Sequence, residues 1–329
     1  MKAYTKIILK TGKSEAVKRF HPWVFSGAIK KIDGEVHEGD IVEVCSNHDE
    51  FLGMGHYQAS SIAVRVFSFQ QIEPDFEFWK SKLEVAYNYR KELGLTDQQE
   101  TNAYRLVHAE GDGLPGLILD YYNGTIVMQA HSIGMFQIKD HLVRALKEIY
   151  GTKLKAVYNK SAETLPKNAD LQKEDTYLFG EKQTNEITEN GNTFLVDWEA
   201  GQKTGFFIDQ RENRKLLGKY VKNKTVLNTF CYTGGFSVYA LKAGAAEVHS
   251  VDSSLKAIDL TEKNIAINSS NNAIHQSFQV DAIDYLKDID QKYDVIILDP
   301  PAFAKHHDAR QHAIQGYKRI NLNAIKQIK

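Results

Sequence analysis

Residues 226–252 read VLNTFCYTGGFSVYALKAGAAEVHSVD: an apolar run, a glycine pair beside a cysteine, a helical stretch, and a second apolar run ending in aspartate. From this stretch onward apolar runs and helical patterns alternate: TVLNTF, a helix from Ser237 to Lys242, EVHSVD, the helix SLKAIDLTEKNIAIN, HQSFQV, a helix around AIDYLKD, then YDVIILDPP. Such alternation predicts a parallel sheet with covering helices, whose ligands bind beyond the carboxyl ends of the strands. Asn228, Asp252, Asp281 and Asp299 fall at those ends. The glycine pair lets the backbone approach a ligand closely before the next helix starts. The dinucleotide fingerprint G-x-G-x-x-G is absent, so NAD is disfavoured. Asp252 suits both ribose hydroxyls of an adenosine, and Asp281 could reach an adenine edge.

Asp299 opens DPPAF, where two prolines stiffen the turn and Phe303 stands close enough to stack on a base extruded into the pocket. This favours base modification. Working outward, EITENGNTFLVDW carries two alternating runs about Asn190-Gly191, a hairpin signal. Residues 1–72 alternate short β-like runs with turn-rich breaks, as a small β-barrel does. From Pro74, Phe76, Trp79, Leu83, Ala86 and Tyr87 fall near helical spacing and lead into an α+β segment. The expected domains are 1–72, 73–185 and 186–329. In GQKTGFFIDQRENR, the pair Asp209 and Glu212 reads as a capping box.

Composition is ordinary for a globular chain of 329 residues, with 42% hydrophobic and 25% charged residues and a net charge of −1. Two cysteines, Cys45 and Cys231, favour a reducing compartment, and no run reaches the length of a membrane span, so a cytoplasmic location is expected. Charge is uneven. Lys2, Lys6, Lys10, Lys13, Lys18, Arg19, Lys30 and Lys31 face only Glu15 in the first thirty-one residues, interleaved with Phe20, His21, Trp23 and Phe25. That mixture suits phosphate contacts and base stacking, with a solvated lysine face as the plain alternative.

Together HPWVFSGAI (21–29), FLGMGHY (51–57), EGDGLPGLILDYY (110–122), GQKTGFFIDQRENR (201–214), VLNTFCYTGGFSVYAL and LDPPAFAK (298–305) give a close resemblance. The chain resembles the PUA-domain class I S-adenosylmethionine-dependent RNA methyltransferases, in particular the bacterial 23S rRNA cytosine-C5 group. The resemblance implies an α/β protein with an N-terminal PUA-like β-barrel domain, an α+β middle domain and a Rossmann-like methyltransferase domain. It implies S-adenosylmethionine as cofactor, with Phe230, Tyr232, Thr233 and Gly234 along its methionine part. Asp252 and Ser253 would lie at the ribose, Asp281 and Ala282 near adenine, and Asp299 between cofactor and base as the catalytic residue. Thr204, Phe206 and Gln210 would add cofactor contacts, and Lys18, Arg19, Trp23 and Arg211 would contact ribosomal RNA.

Cytosine C5 becomes nucleophilic only when a thiolate adds to C6. The family's cysteine segment has no counterpart here, and the sheet is expected to be incomplete, with roughly 50 to 70 residues lacking by typical element lengths. The chain is therefore expected to be inactive on C5 by itself. Cys231 lies in the loop that holds the methyl donor and is read as a small buried hydrophobe. The alternatives are methylation of guanine N7 or N2, or an RNA-binding protein with incomplete catalytic machinery. His306, His307 and His312 lack a further ligand at suitable spacing, so no metal is expected. A membrane partner is not expected, and a homodimer is left open.

Overall fold

The computed structural model describes residues 3–166, 174–268, 274–288, 292–304 and 310–329, with Asp288 described in its backbone alone. The chain divides into two compact units, one of residues 1–98, 102–184 and 198–205, the other of residues 99–101, 185–197 and 206–329. The segments expected as first and middle domains thus share one unit.

In the first unit β1 (Thr5–Leu9), α1 (Glu15–Lys18), β2 (Trp23–Phe25), β3 (Ile29–Asp33), β4 (Ile41–Cys45), β5 (Phe51–Tyr57) and β6 (Ile62–Ser68) follow in order. The strands form one sheet in the order β2-β6-β5-β4-β1-β3. Ile7, Leu9, Val42, Val44, Val64 and Val66 are buried together, as the alternation of apolar residues requires. Folding adds acidic partners to this basic stretch. Lys6 pairs with Asp49 at 3.0 Å, Lys18 with Glu50 at 2.8 Å and Lys31 with Asp33 at 3.3 Å. The β4–β5 turn brings acids that a count over the first thirty-one residues misses.

Helix α2 (Phe76–Glu92) begins where Pro74 predicts, with Asp75 accepting from the Phe78 amide at 3.0 Å. Beyond it lie β7 (Ala103–His108), β8 (Leu117–Tyr122), β9 (Thr125–Ala130), α3 (Ile133–Gln137), α4 (Lys139–Tyr150), β10 (Ala156–Asn159) and β11 (Thr176–Phe179). These five strands make a second sheet, ordered β11-β10-β9-β8-β7. Its core joins Trp79 and Leu83 of α2, Leu142 and Leu146 of α4, and Leu106, Leu119 and Met128 of the sheet.

The second unit opens with the hairpin β12 (Glu186–Glu189) and β13 (Asn192–Leu195). Asn190 at φ 47° and Gly191 at φ 73° provide the two left-handed residues that a tight two-residue turn demands. Next come α5 (Arg211–Leu217), β14 (Thr225–Thr229), α6 (Gly235–Lys242), β15 (Glu247–Asp252), α7 (Leu255–Asn268), β16 (Ile274–Gln279), α8 (Ala282–Asp288), β17 (Val295–Leu298) and α9 (Arg310–Gln327). Strands β16-β15-β14-β17 lie parallel in that order, so their carboxyl ends share one edge.

Two details differ from the sequence reading. Asp209 lies within a single 3-10 turn, Ile208–Gln210, and Gln210 precedes α5 without any side-chain cap, so the Asp209–Glu212 capping box does not form. Glu212 instead meets Arg211 at 3.3 Å. Asn228 is not at the ligand edge: it is buried and donates to Ser237 Oγ at 2.9 Å, tying β14 to α6. Beneath α5, Arg214 makes two 2.8 Å bonds to Glu189, and Tyr239 donates to the same carboxylate at 3.0 Å. Both charged groups are buried, so each depends on the other.

Candidate active site

The quoted loop folds by alternation of backbone hand. Phe230 at φ 55°, Tyr232 at φ 48° and Gly234 at φ 72° are left-handed. Such conformations cost a non-glycine residue on the order of 1–2 kcal/mol and persist only where surroundings hold them. Asp252 is one such support. Its Oδ2 accepts from the Tyr232 amide at 3.0 Å and its Oδ1 from the Ser254 amide at 2.9 Å. Helix α7 is the other. Thr261 donates to the Tyr232 carbonyl at 3.0 Å and Asn264 to the Thr233 carbonyl at 2.8 Å. A Cβ on residue 234 would stand 2.7 Å from Thr261 Cγ2, so glycine is required by close approach as well as by hand.

Asn264 also accepts from the Leu195 amide at 2.7 Å, and Asn268 accepts from the Thr193 amide at 3.0 Å. Thr261, Asn264 and Asn268 thus fasten the loop and the hairpin to one helix face. Sequence reasoning missed them, although their i, i+3, i+7 spacing in LTEKNIAIN places three small polar residues on one side of a helix.

The other strand ends also carry their predicted groups. Asp281 follows β16 and its Oδ1 accepts from the Ile283 and Asp284 amides at 2.8 and 3.2 Å, starting α8. Ala282 is buried beside it, and Ser253 is exposed next to Asp252. Asp299 is exposed just beyond β17, and Gln210 Nε2 approaches its two oxygens at 3.5 and 3.4 Å. That contact joins the 206–211 segment to the DPP turn. Asn213 donates to Gln210 Oε1 at 2.7 Å and orients the amide. Phe207 meets the Tyr232 ring edge-on at 5.3 Å.

Two predicted cofactor contacts are corrected. The Phe206 ring is buried against Phe194 at 5.2 Å and under the Arg214 guanidinium at 4.7 Å, which makes it a core residue. Thr204 is buried in the first unit, donating to Asp120 at 2.6 Å and bonded to Tyr122 at 2.9 Å, so its hydroxyl serves that network. Cys231 is buried with Sγ 3.5 Å from Thr261 Oγ1, and burial pushes its thiol up to about 12. Cys45, buried in β4, is pushed up to about 11 for the same reason. Neither is a thiolate near neutrality. His306, His307 and Lys305 lie outside the described residues. No helix among the described residues is long and apolar enough to cross a membrane.

Residues 7–69 match the family described as PUA-like domain, and residues 105–326 match the S-adenosylmethionine-dependent methyltransferases. The chain belongs to the S-adenosylmethionine-dependent methyltransferase family. Among curated relatives, a protein of Aeromonas hydrophila named ribosomal RNA large subunit methyltransferase I is 38% identical over 328 residues, covering 97% of this chain and 82% of the relative. The protein of that name from Aliivibrio fischeri is 39% identical, with the same coverage of 97% and 82%. A solved structure of a candidate SAM-dependent methyltransferase from Streptococcus mutans superposes with a TM-score of 0.82 at 25% identity, covering 98% of this chain and 83% of that one. A candidate methyltransferase complexed with SAH superposes with a TM-score of 0.83, also at 25% identity, with coverage of 98% and 83%. S-adenosylmethionine is accordingly the methyl donor of this methyltransferase. The donor set fits it: a glycine-bearing loop that admits backbone approach, and carboxylates at the carboxyl ends of three of the four parallel strands.

Proposed function

We propose that this methyltransferase modifies a nucleobase of large-subunit ribosomal RNA, with cytosine C5 as the target atom. The observation that carries the reading is the Asp299–Gln210 contact at the DPP turn, one strand from the loop that Asp252 pins. A nucleoside cofactor and a base can there be gripped from adjacent strand ends. The PUA-like match and the name shared by the curated relatives support RNA as substrate.

Bound S-adenosylmethionine supplies a methyl group on a positively charged sulfur. Asp252 keeps lone pairs for the ribose hydroxyls beyond those its two amide donors use. Asp281 Oδ2 and the Ala282 main chain stand at the adenine position, while Ser253 borders the ribose. Phe230, Tyr232, Thr233 and Gly234 shape the wall for the methionine portion. Asp299, oriented by Gln210, accepts from the target base and aligns it for in-line transfer. Arg211 and Trp23, with Arg19 and Lys18, are the proposed RNA contacts; Lys18 must exchange Glu50 for phosphate.

A nitrogen target, guanine N7 or N2, is the second reading, favoured by the state of the cysteines. C5 transfer needs a thiolate, and both cysteines of these 329 residues are buried and protonated. The test is transfer of labelled methyl groups to large-subunit rRNA, followed by nucleoside analysis. 5-Methylcytidine supports the first reading and a methylguanosine the second. Intact cofactor binding without incorporation would sink both.

A further inference from the structure

In the first unit, Arg65 of β6 lies half-buried with no hydrogen-bond acceptor among the described residues, and its Nη1 has lost contact with water altogether. A guanidinium in that state calls for an acceptor. Ser132, 98% buried by its 2% exposure, carries a second unpartnered polar atom, Oγ. The two converge: a Cβ placed on Gly116 would lie 3.0 Å from Ser132 Oγ and 3.5 Å from Arg65 Cδ.

Across the strand pair, Trp23 of β2 faces Arg65 directly, so both project from one side of the sheet. The Trp23 indole donates to Glu110 Oε1 at 2.8 Å, and Glu110 is the acid whose charge acts on Arg65. His21 and Phe25 surround the indole at 5.9 and 6.3 Å, and Phe25 is 50% exposed. A phosphate would meet the Glu110 carboxylate as well as Arg65. A base edge that carries acceptors beside donors meets both with the right sign, and an exposed ring offers it a face.

We propose that Arg65 and Glu110, flanked by Ser132 and the Trp23–Phe25 aromatic surface, form a subsite in the first unit for one unpaired guanine of RNA. The Nε–Nη2 edge of Arg65 addresses O6 and N7, Glu110 accepts from N1–H and N2–H, and Phe25 stacks on the ring. Ser132 lies where a further polar atom of the nucleotide is needed. This subsite rests on the reading that the substrate is RNA.

The test is binding of the full chain to single-stranded uridine nonamers carrying a central guanosine, adenosine or 7-deazaguanosine. The wild type is expected to prefer guanosine to adenosine by roughly tenfold or more. Arg65→Gln and Glu110→Gln should each bind both RNAs about equally, with S-adenosylhomocysteine binding kept as the check of folding. The 7-deazaguanosine RNA tests the N7 contact on unaltered protein and should lose most of the preference. An equal loss for both RNAs in Arg65→Gln, with the salt slope lowered by about 0.7, would identify a phosphate contact and overturn the guanine subsite. So would wild-type binding without preference for guanosine. Absence of binding to any of the nonamers and to large-subunit rRNA would remove the RNA reading itself.

Discussion

Replacing Asp252 with alanine tests the cofactor site at its most constrained point. The carboxylate supports the loop by accepting from Tyr232 and Ser254 at 3.0 and 2.9 Å, and it is proposed to hold the ribose. Hydrogen bonds to a charged group contribute about 1.5 to 3 kcal/mol when the group is removed. Losing the ribose contact accounts for that amount in binding. Without the Asp252 acceptor the loop can also relax from its left-handed turns at Phe230 and Tyr232, and the cofactor must restore them at about 1 to 2 kcal/mol. Affinity for S-adenosylhomocysteine should therefore fall by roughly 2.5 to 5 kcal/mol, on the order of several tens-fold to several thousandfold. Calorimetry with a 2′,3′-dideoxy analogue separates the two contributions. The wild type should bind the analogue more weakly than the parent compound, whereas Asp252→Ala should bind them alike. If the variant still discriminates as well as the wild type, Asp252 does not hold the ribose and serves the loop alone. Unchanged affinity for S-adenosylhomocysteine would refute both roles.

Gly234→Ala combines the left-handed backbone at φ 72° with a 2.7 Å approach to Thr261 Cγ2, and should lower stability by about 2 to 5 kcal/mol. Adding Thr261→Ser removes the clashing methyl and should recover part of that loss in urea unfolding; no recovery would mean that backbone strain alone is responsible. Cys231→Ser should leave S-adenosylhomocysteine affinity within about twofold of wild type, the loss of a buried thiol being a packing change, and covalent trapping of 5-fluorocytosine RNA should not differ between the two forms. An adduct that vanishes in Cys231→Ser would make this thiol the nucleophile. His56, stacked on Trp79 at 5.7 Å, has its pKa pulled down to about 3 by burial, so the folded form binds fewer protons than the unfolded one, whose value is 6.5. Its contribution to stability is whole above about pH 6.5 and is lost as pH falls toward 3. His56→Phe should flatten that limb of the pH–stability curve, and an unaltered limb would place the acid sensitivity elsewhere.

What was legible in the sequence is what local chemistry decides. Asn190-Gly191 can hardly be anything but a tight turn, a helix opens after Pro74 where apolar residues fall at helical spacing, and alternation of apolar runs with helices fixes a parallel sheet. The carboxylates at the strand ends follow from that sheet. What could not be read depends on partners far along the chain. Asp209 and Glu212 have capping-box spacing, yet the chain enters α5 through a 3-10 turn, and Asn228 sits at a strand terminus yet turns inward to Ser237. Glu189 and Arg214 look like ordinary surface charges until folding buries them together. The cofactor loop shows the same division most clearly. Its glycines announce a close approach, but two of its three left-handed residues are aromatic, and no local preference explains them. Their geometry is held from outside the loop, by Asp252 on one strand and by Thr261 and Asn264 on the following helix. The loop is thus braced from outside without any ligand, and the helix side chains that brace it belong to the binding machinery as much as the residues that would touch the cofactor.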